Sequence, residues 1–597
     1  MPFLPVANNN LEMDFVLVSA DAYIDHPSFG HAIISRLIKS RGLSVGIIAQ
    51  PVKDADYLEF GAPKIGFLVS GGVVDSMVNN YTVALKRRTK DSYSEGGDYG
   101  RRPDRAVTVY TNALKRLFPG KPVIIGGIEA SLRRFAHYDY WSDSVMPSIL
   151  IDSGADLLVY GMGENPLSDI LDLILKGALV EKIRDVRGTA FVSDFEDLSA
   201  KLKEDIYSGK AKFCPSYEDV KSDKYDYVKA FNIQNDYKGH ILQKHSDKYV
   251  VVNPPAKPLT TEQMDYIYSL PYMRDYHFSY KRGVPAIEEI KFSITSHRGC
   301  FGGCNYCALN YHQGSAIQKR SKQSIIDEAE KLKSLRDFKG YIHDVGGPTA
   351  NFRINACNKS SGGSCKGKSC IGYKPCDNLK VNHGEYLDIL RALRQMPGIK
   401  KVFIRSGIRY DYLMYEKTDG FLDEIVRHHI SGQLKVAPEH SSERVLKAMN
   451  KAPFKVYLDF YKRFGASTAK AGLKQYLVPY FISSHPACTL EDGIALAEYL
   501  NSIGYIPEQV QDFYPTPSTK STTMYYTGIN PDTMEEIYVP KTKEEKAMQR
   551  ALMQFRLRSN YRLVKAALIK AGRSDLIGYG RRCLIPPYPP KGARNKK

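Results

Sequence analysis

The chain has 597 residues, 43% of them hydrophobic and 25% charged, a globular composition with enough apolar mass for two to four domains. No run of about 18 apolar residues is present and the start, "MPFLPVANNNLEMDF", lacks a secretory pattern, so no membrane partner is expected and the cytoplasm is the expected location. Ten cysteines are too few for a disulfide scaffold, and 84 Lys plus Arg against 65 Asp plus Glu, a net charge of +19, make RNA a possible partner without specifying it.

Apolar runs that end in glycine open the chain: "FVLVS" (15–19), "VGIIAQ" (45–50), "KIGFLVSGG" (64–72), "PVIIGGIEAS" (122–131) and "DLLVYGMGEN" (156–165). Each is followed by a helical or turn segment, so residues 1–180 are expected to form an α/β, doubly wound, Rossmann-like domain with a parallel sheet. Its strand ends carry Gly71-Gly72, Gly126-Gly127 and Gly161-Met162-Gly163. Glycines there suit either close approach of a ligand or plain tight turns. The charged stretch 86–105, "KRRTKDSYSEGGDYGRRPDR", reads as a mobile insertion, and 181–285 reads as an irregular connector without clear periodicity.

From residue 286 to 530 strand and helix alternate again. The runs "KFSITS" (291–296), "GYIHDV" (340–345), "KVFIRS" (401–406), "LKVA" (434–437), "KQYLVPYF" (474–481) and "VQDFYPT" (510–516) predict a partial (βα)6 barrel. Its functional groups are expected at the carboxyl ends of the strands. Residues 531–597 read as a C-terminal helical extension, a basic helix followed by a Pro-rich disordered tail.

The first barrel strand runs straight into "HRGCFGGCNYC", which places Cys300, Cys304 and Cys307 on one Gly-rich turn. Structural zinc sites want four ligands, whereas three thiolates on an iron–sulfur cubane leave one iron open. Gly299, Gly302 and Gly303 let the turn curl around such a group. A second group, Cys357, Cys365, Cys370 and Cys376, lies in an insertion at 355–380 with x7, x4 and x5 spacing. Lys359, Lys366, Lys368, Lys374 and Lys380 nearby favour thiolate forms. Four ligands suit a closed site, either zinc or an auxiliary iron–sulfur cluster. Cys214, Cys488 and Cys583 are isolated and read as structural thiols. His440 and His485 fall near the same face, but a lone histidine is more often a hydrogen-bonded loop residue, so no catalytic side chain is assigned.

With Tyr306 in the aromatic slot, Cys-x-x-x-Cys-x-aromatic-Cys resembles the hallmark of the radical S-adenosylmethionine (radical SAM) superfamily. The resemblance implies a [4Fe–4S] cluster on Cys300, Cys304 and Cys307 whose open iron chelates SAM. One electron, from a flavodoxin- or ferredoxin-like donor, then cleaves the sulfonium bond and yields a 5′-deoxyadenosyl radical that abstracts hydrogen. "DVGGPTAN" is similar to the family's Gly-Gly-Glu motif; Pro348 replaces the acid, so only the backbone role on the SAM amino group carries over, to Gly346 and Gly347. "IRSGIR" offers Ser406 and Arg409 near the SAM carboxylate or ribose, and "APEHSSERVLKAMNK" offers Glu439 for the ribose hydroxyls.

The N-terminal layout resembles the cobalamin-binding-like domain of several radical SAM enzymes. The signature Asp-x-His-x-x-Gly is not met by "DAYIDHPSFG", so cobalamin is not expected. Several long segments, "VSADAYIDHPSFG", "VNPPAKPLT", "SHRGCFGGCNYCALNYHQG", "DVGGPTANF" and "QDFYPTPST", look like those of the YgiQ family within that superfamily. The expected function is SAM cleavage with hydrogen abstraction from an unidentified substrate; the alternative is a non-catalytic metal-binding RNA adaptor with structural zinc sites.

Overall fold

In the computed structural model of the chain, residues 2–6, 11–359, 365, 369–416 and 420–589 are described. The run "FVLVS" forms strand β1 (Phe15–Ser19), buried along its whole length. Beside it lie β2 (Val45–Ala49) and β3 (Gly66–Ser70), then β4 (Val123–Gly126) and β5 (Leu157–Val159), all parallel. Both faces of these strands are covered, which is why they read as unbroken apolar runs. Val16, Val18, Val69 and Ile125 pack on one side with Tyr110 and Leu114. Phe15, Leu17, Leu68 and Ile124 pack on the other with Leu37, Ile170 and Leu171.

The sheet does not stop at residue 180. Strands β6 (Thr189–Ser193), β7 (Ala211–Cys214), β8 (His240–His245) and β9 (Lys248–Val252) extend it, in the order β7-β8-β9-β6-β5-β4-β3-β1-β2. The expected irregular connector over 181–285 is therefore corrected: it supplies four strands of this sheet, with helices such as Lys224–Asp236 among them. These strands include antiparallel neighbours and an edge, and polar residues such as Lys212 and Lys244 face solvent in them. That mixture hides the period-2 pattern.

The charged stretch at 86–105 is also anchored rather than loose. Arg102 is fully buried, with its guanidinium on Asp21 (2.6 Å), Asp91 (3.2 Å) and the Gly71 carbonyl (2.8 Å). Asp21 follows β1 and Gly71 follows β3, so this ion cluster sits beside the crevice where the strand order reverses, the usual ligand position of such sheets.

The second unit carries β10 (Ser293–Thr295), β11 (Tyr341–Ile342), β12 (Asp344–Gly346), β13 (Lys401–Val402), β14 (Gln433–Glu439), β15 (Tyr476–Ser483) and β16 (Gln511–Asp512). β12 pairs with β10 and β11 with β13, while β14, β15 and β16 form a separate three-stranded ladder; every pairing is parallel. Ile294, Val345, Val402 and Val436 form the core with apolar residues of helices α1 (Lys322–Lys333), α2 (Gly384–Gln395), α3 (Phe454–Lys470) and α4 (Leu490–Ser502). The basic C-terminal region holds two helices, α5 (Lys543–Met553) and α6 (Tyr561–Lys570), and both bury apolar residues, Leu552 and Leu568 among them, in this same core. No helix among the described residues is long and apolar enough to cross a membrane.

The two units meet strand end to strand end. Between them lies a cavity of about 620 Å³. Gly72, Gly126-Gly127 and Gly161–Gly163 line it from the N-terminal sheet; Thr295, Gly346-Gly347, Ser406 and Lys435 line it from the barrel. A buried ion pair spans the junction: Arg298, two residues before the first clustered cysteine, donates to Glu164 at the start of the helix Glu164–Leu175. Arg298 also donates to the Tyr268 hydroxyl at 3.1 Å.

Candidate metal centre

The cysteine loop is closed at its base by a two-residue antiparallel pairing, His297↔Lys319 and Arg298↔Gln318. Above it the Cys300 amide donates to the Gly314 carbonyl at 3.0 Å, and the Cys307 amide donates to the Cys304 carbonyl at 3.1 Å. Gly299 takes φ +85°, and a Cβ there would lie 1.9 Å from the Ala316 carbonyl oxygen, so only glycine fits. The barrel grips the loop from outside. Asn450 donates to the Gly303 carbonyl at 2.7 Å, and Asn305 is tied to the carbonyls of Met449 (3.0 Å) and Ala448 (2.9 Å).

Arg409 supplies the nearest cation. Its Nη1 lies 3.6 Å from Cys304 Sγ, while Nε and Nη2 donate to Asp411 at 2.8 and 2.5 Å. A Cβ on Gly302 would sit 2.2 Å from that Nη1, so the glycine opens the space through which the guanidinium reaches the sulfurs. "DVGGPTAN" contributes here through a residue that motif reading passed over. Asn351 accepts from the Arg409 amide at 2.9 Å and donates to its carbonyl at 3.2 Å, fixing the backbone that aims the side chain.

Burial dominates the electrostatics. It pushes the Cys307 thiol up to about 12, with Cys304 and Cys300 adding to the shift, and it raises Cys300 against the opposing pull of Arg409. Glu439 is buried with φ +69° at an irregularity in β14. Its Oε1 accepts from the Tyr306 hydroxyl at 2.7 Å and lies 4.0 Å from Lys451 Nζ, whereas Oε2 has no hydrogen-bond partner. Burial raises its pKa against the pull of Lys451 and Tyr306.

The residues expected at a SAM site fall into two sets. Gly346, Gly347 and Ser406 line the cavity; Arg409 and Glu439 sit with the cysteine loop. Ser406 Oγ donates to Asp344, which also accepts from the Arg405 and Ser406 amides, so Asp344 shapes that strand end. Among the histidines, His440 Nε2 faces Cys488 Sγ at 3.5 Å and His485 Nε2 faces Ser521 Oγ at 2.7 Å; both rings are buried and neither lines the cavity. His26 does not line the cavity either, although Pro27, Ser28, Gly30 and His31 do. Cys214 and Cys488 are buried, and Cys583 is partly exposed.

Comparison with known proteins agrees with this geometry. Residues 3–293 match the model of the radical SAM N-terminal domain and 294–478 that of the radical SAM superfamily; 508–597 match a domain of unknown function, DUF3362. A UPF0313 protein of Clostridium botulinum (strain Kyoto / Type A2) is 54% identical over 602 residues, covering 98% of this chain and 92% of that one. The chain belongs to the UPF0313 (YgiQ) family of radical SAM proteins. The UPF0313 protein CPE1196 of Clostridium perfringens (strain 13 / Type A) is 53% identical over 599 residues, with 98% and 89% coverage. A solved radical SAM methyltransferase, TsrM from Kitasatospora setae with cobalamin and a [4Fe-4S] cluster bound, is similar at 13% identity and a TM-score of 0.48. That alignment covers 85% of this chain and 77% of TsrM, and at these values it says nothing about ligands here.

In this UPF0313 chain the donor set fits an iron–sulfur cluster. Three thiols lie within electrostatic reach of one another on a loop pinned at both ends, with a guanidinium beside one sulfur. Cys300 and Cys307, raised by burial, are thiols a metal must deprotonate on binding, and the adjacent cation helps offset the resulting charge. Among the described residues no three Cys, His, Asp or Glu side chains close on a single-ion position. A cubane distributes its thiolates over separate irons.

Proposed function

We propose that the protein is a radical SAM enzyme, with Cys300, Cys304 and Cys307 holding a [4Fe–4S] cluster and the cavity between the two units taking the substrate. The observation that carries the reading is the folded Cys-x-x-x-Cys-x-Tyr-Cys loop, with Arg409 on Cys304 and Glu439 on Tyr306. With cluster and SAM bound, the pair supplies one-electron cleavage of the sulfonium bond and a hydrogen-abstracting 5′-deoxyadenosyl radical. The electron comes from an external low-potential donor of the flavodoxin or ferredoxin type.

The chain's own residues bind and orient. Gly346 and Gly347 offer backbone to the SAM amino group, and the absence of side chains there keeps the approach open; a Cβ on Gly346 would strike Ser406 Oγ at 2.1 Å. Glu439 offers its unpartnered Oε2 to the ribose hydroxyls, with Tyr306 holding the other oxygen. Ser406 and Asp344 fix the third strand end, and the Arg298–Glu164 pair locks the N-terminal sheet over the barrel mouth. A cavity of about 620 Å³ suits a small molecule or a single inserted side chain or base. Cobalamin is not part of this proposal, since "DAYIDHPSFG" departs from the signature Asp-x-His-x-x-Gly.

Electron paramagnetic resonance of the anaerobically reconstituted, dithionite-reduced protein tests SAM binding at the cluster. A SAM-dependent change of the cluster signal is expected, weakened in Glu439→Gln; a signal indifferent to saturating SAM contradicts the assignment.

A further inference from the structure

We propose that Cys357, Cys365, Cys370 and Cys376 hold a second iron–sulfur cluster, closed by four thiolates and packed directly against the first cysteine loop. The insertion that carries them leaves and rejoins the barrel at one point: the Lys380 amide donates to the Ala356 carbonyl at 2.7 Å, and Lys380 Nζ donates to Asn358 at 2.6 Å. Within it the Cys376 amide donates to the Cys370 carbonyl at 3.1 Å, a turn that brings the last two cysteines together. Burial raises the Cys370 thiol, and Cys357, Cys365 and Cys376 each add to that rise, so the three lie near Cys370. Lys366 and Lys368, expected to favour thiolates here, lie outside the described residues.

The loop's position relative to the first cysteines is the second observation. Asn450 is shared: its Nδ2 holds the Gly303 carbonyl, and a Cβ on Gly372 would meet its Oδ1 at 2.2 Å. Ser369 Oγ is 3.2 Å from the Cβ position of Gly303. Cys300 and Cys370 both pack against one apolar cluster of Phe301, Phe352, Ile371 and Tyr412, in which Phe301 and Phe352 stack at 3.8 Å. The two thiol groups therefore share a dry wall, the surrounding that tunes a cluster's potential.

Zinc is the rival occupant. Structural zinc sites are built from pairs two to four residues apart, and only Cys365/Cys370 has such spacing. Four thiolates spread over x7, x4 and x5 suit a polynuclear cluster, for which four cysteines are the standard complement. The site does not depend on SAM cleavage by the first centre.

Iron, sulfide and zinc are counted after anaerobic reconstitution of the Cys300→Ala/Cys304→Ala/Cys307→Ala variant. The proposal expects retained iron and sulfide, about four of each for a cubane or about two for a [2Fe–2S] cluster. An iron-free variant, whether holding one zinc or no metal, overturns it. Mössbauer counting on the unsubstituted protein decides the matter if that variant does not fold. More than about four irons per chain supports the second cluster, and four or fewer overturns it. In Cys357→Ser/Cys365→Ser/Cys370→Ser/Cys376→Ser, iron is expected to drop to the complement of the first centre alone. An undiminished count in that variant also overturns the proposal.

Discussion

Arg409 holds Cys304 and Asp411 at once: Nη1 lies 3.6 Å from the sulfur and the remaining nitrogens grip the carboxylate, with Arg409 and Asp411 both buried. Truncating only the cation strands a buried carboxylate. Arg409→Leu is expected to cost about 3–5 kcal/mol in urea unfolding, with most of that recovered in Arg409→Leu/Asp411→Leu. The double variant is still expected to reduce its cluster at a more negative potential, since the positive charge beside the sulfur is gone. An unchanged potential in a redox titration would show that the guanidinium does not act on the cluster.

Glu439 has a pH signature. Its folded-state pKa is raised by burial above the ordinary glutamate value of about 4.3. A raised carboxyl favours the fold below the unfolded pKa, and that contribution is lost as pH rises through the folded pKa. Replacing it with a neutral isostere removes the loss, so the stability of Glu439→Gln apo-protein relative to the unsubstituted protein should grow as pH rises above the unfolded value of about 4.3. Urea midpoints that run parallel for the two proteins across that rise would rule this out.

The base of the cysteine loop tolerates no side chain. Gly299→Ala forces a left-handed φ on alanine, worth about 1–2 kcal/mol, and drives a methyl into the Ala316 carbonyl. Cluster content is expected to fall more than overall helicity by circular dichroism, because the strain is confined to the loop. Full iron incorporation in this variant would contradict the tight fit.

The Arg298–Glu164 pair joins the two units. Glu164→Ala leaves Arg298 buried and unpaired and is expected to destabilise by about 3–5 kcal/mol, while Glu164→Leu/Arg298→Leu costs less. Equal losses for the single and double variants in chemical unfolding would show that the two residues act separately.

Strands with both faces buried announce themselves as continuous apolar runs, so β1 to β5 are legible from composition alone, whereas the barrel strands carry exposed residues such as Lys401 and Lys435 and are legible from the strand–helix alternation. The cysteine spacing is equally local, and it names its chemistry. Strands β6 to β9 mix polar and apolar residues at the sheet's far side, and nothing in their own sequence says which sheet they join. Arg102, Arg298 and Asn351 escaped notice for another reason. Each acts on residues far away in the chain, as Arg298 does on Glu164, and a charged stretch looks solvated until its partner is seen.

The most direct measurement is product formation: anaerobically reconstituted protein, dithionite and SAM, with 5′-deoxyadenosine followed by mass spectrometry. The account predicts that the unsubstituted protein releases 5′-deoxyadenosine and that Cys304→Ala, which removes the thiolate beside Arg409, releases none. Undiminished SAM cleavage in Cys304→Ala, or no cleavage by unsubstituted protein carrying its full complement of iron and sulfide, would contradict it.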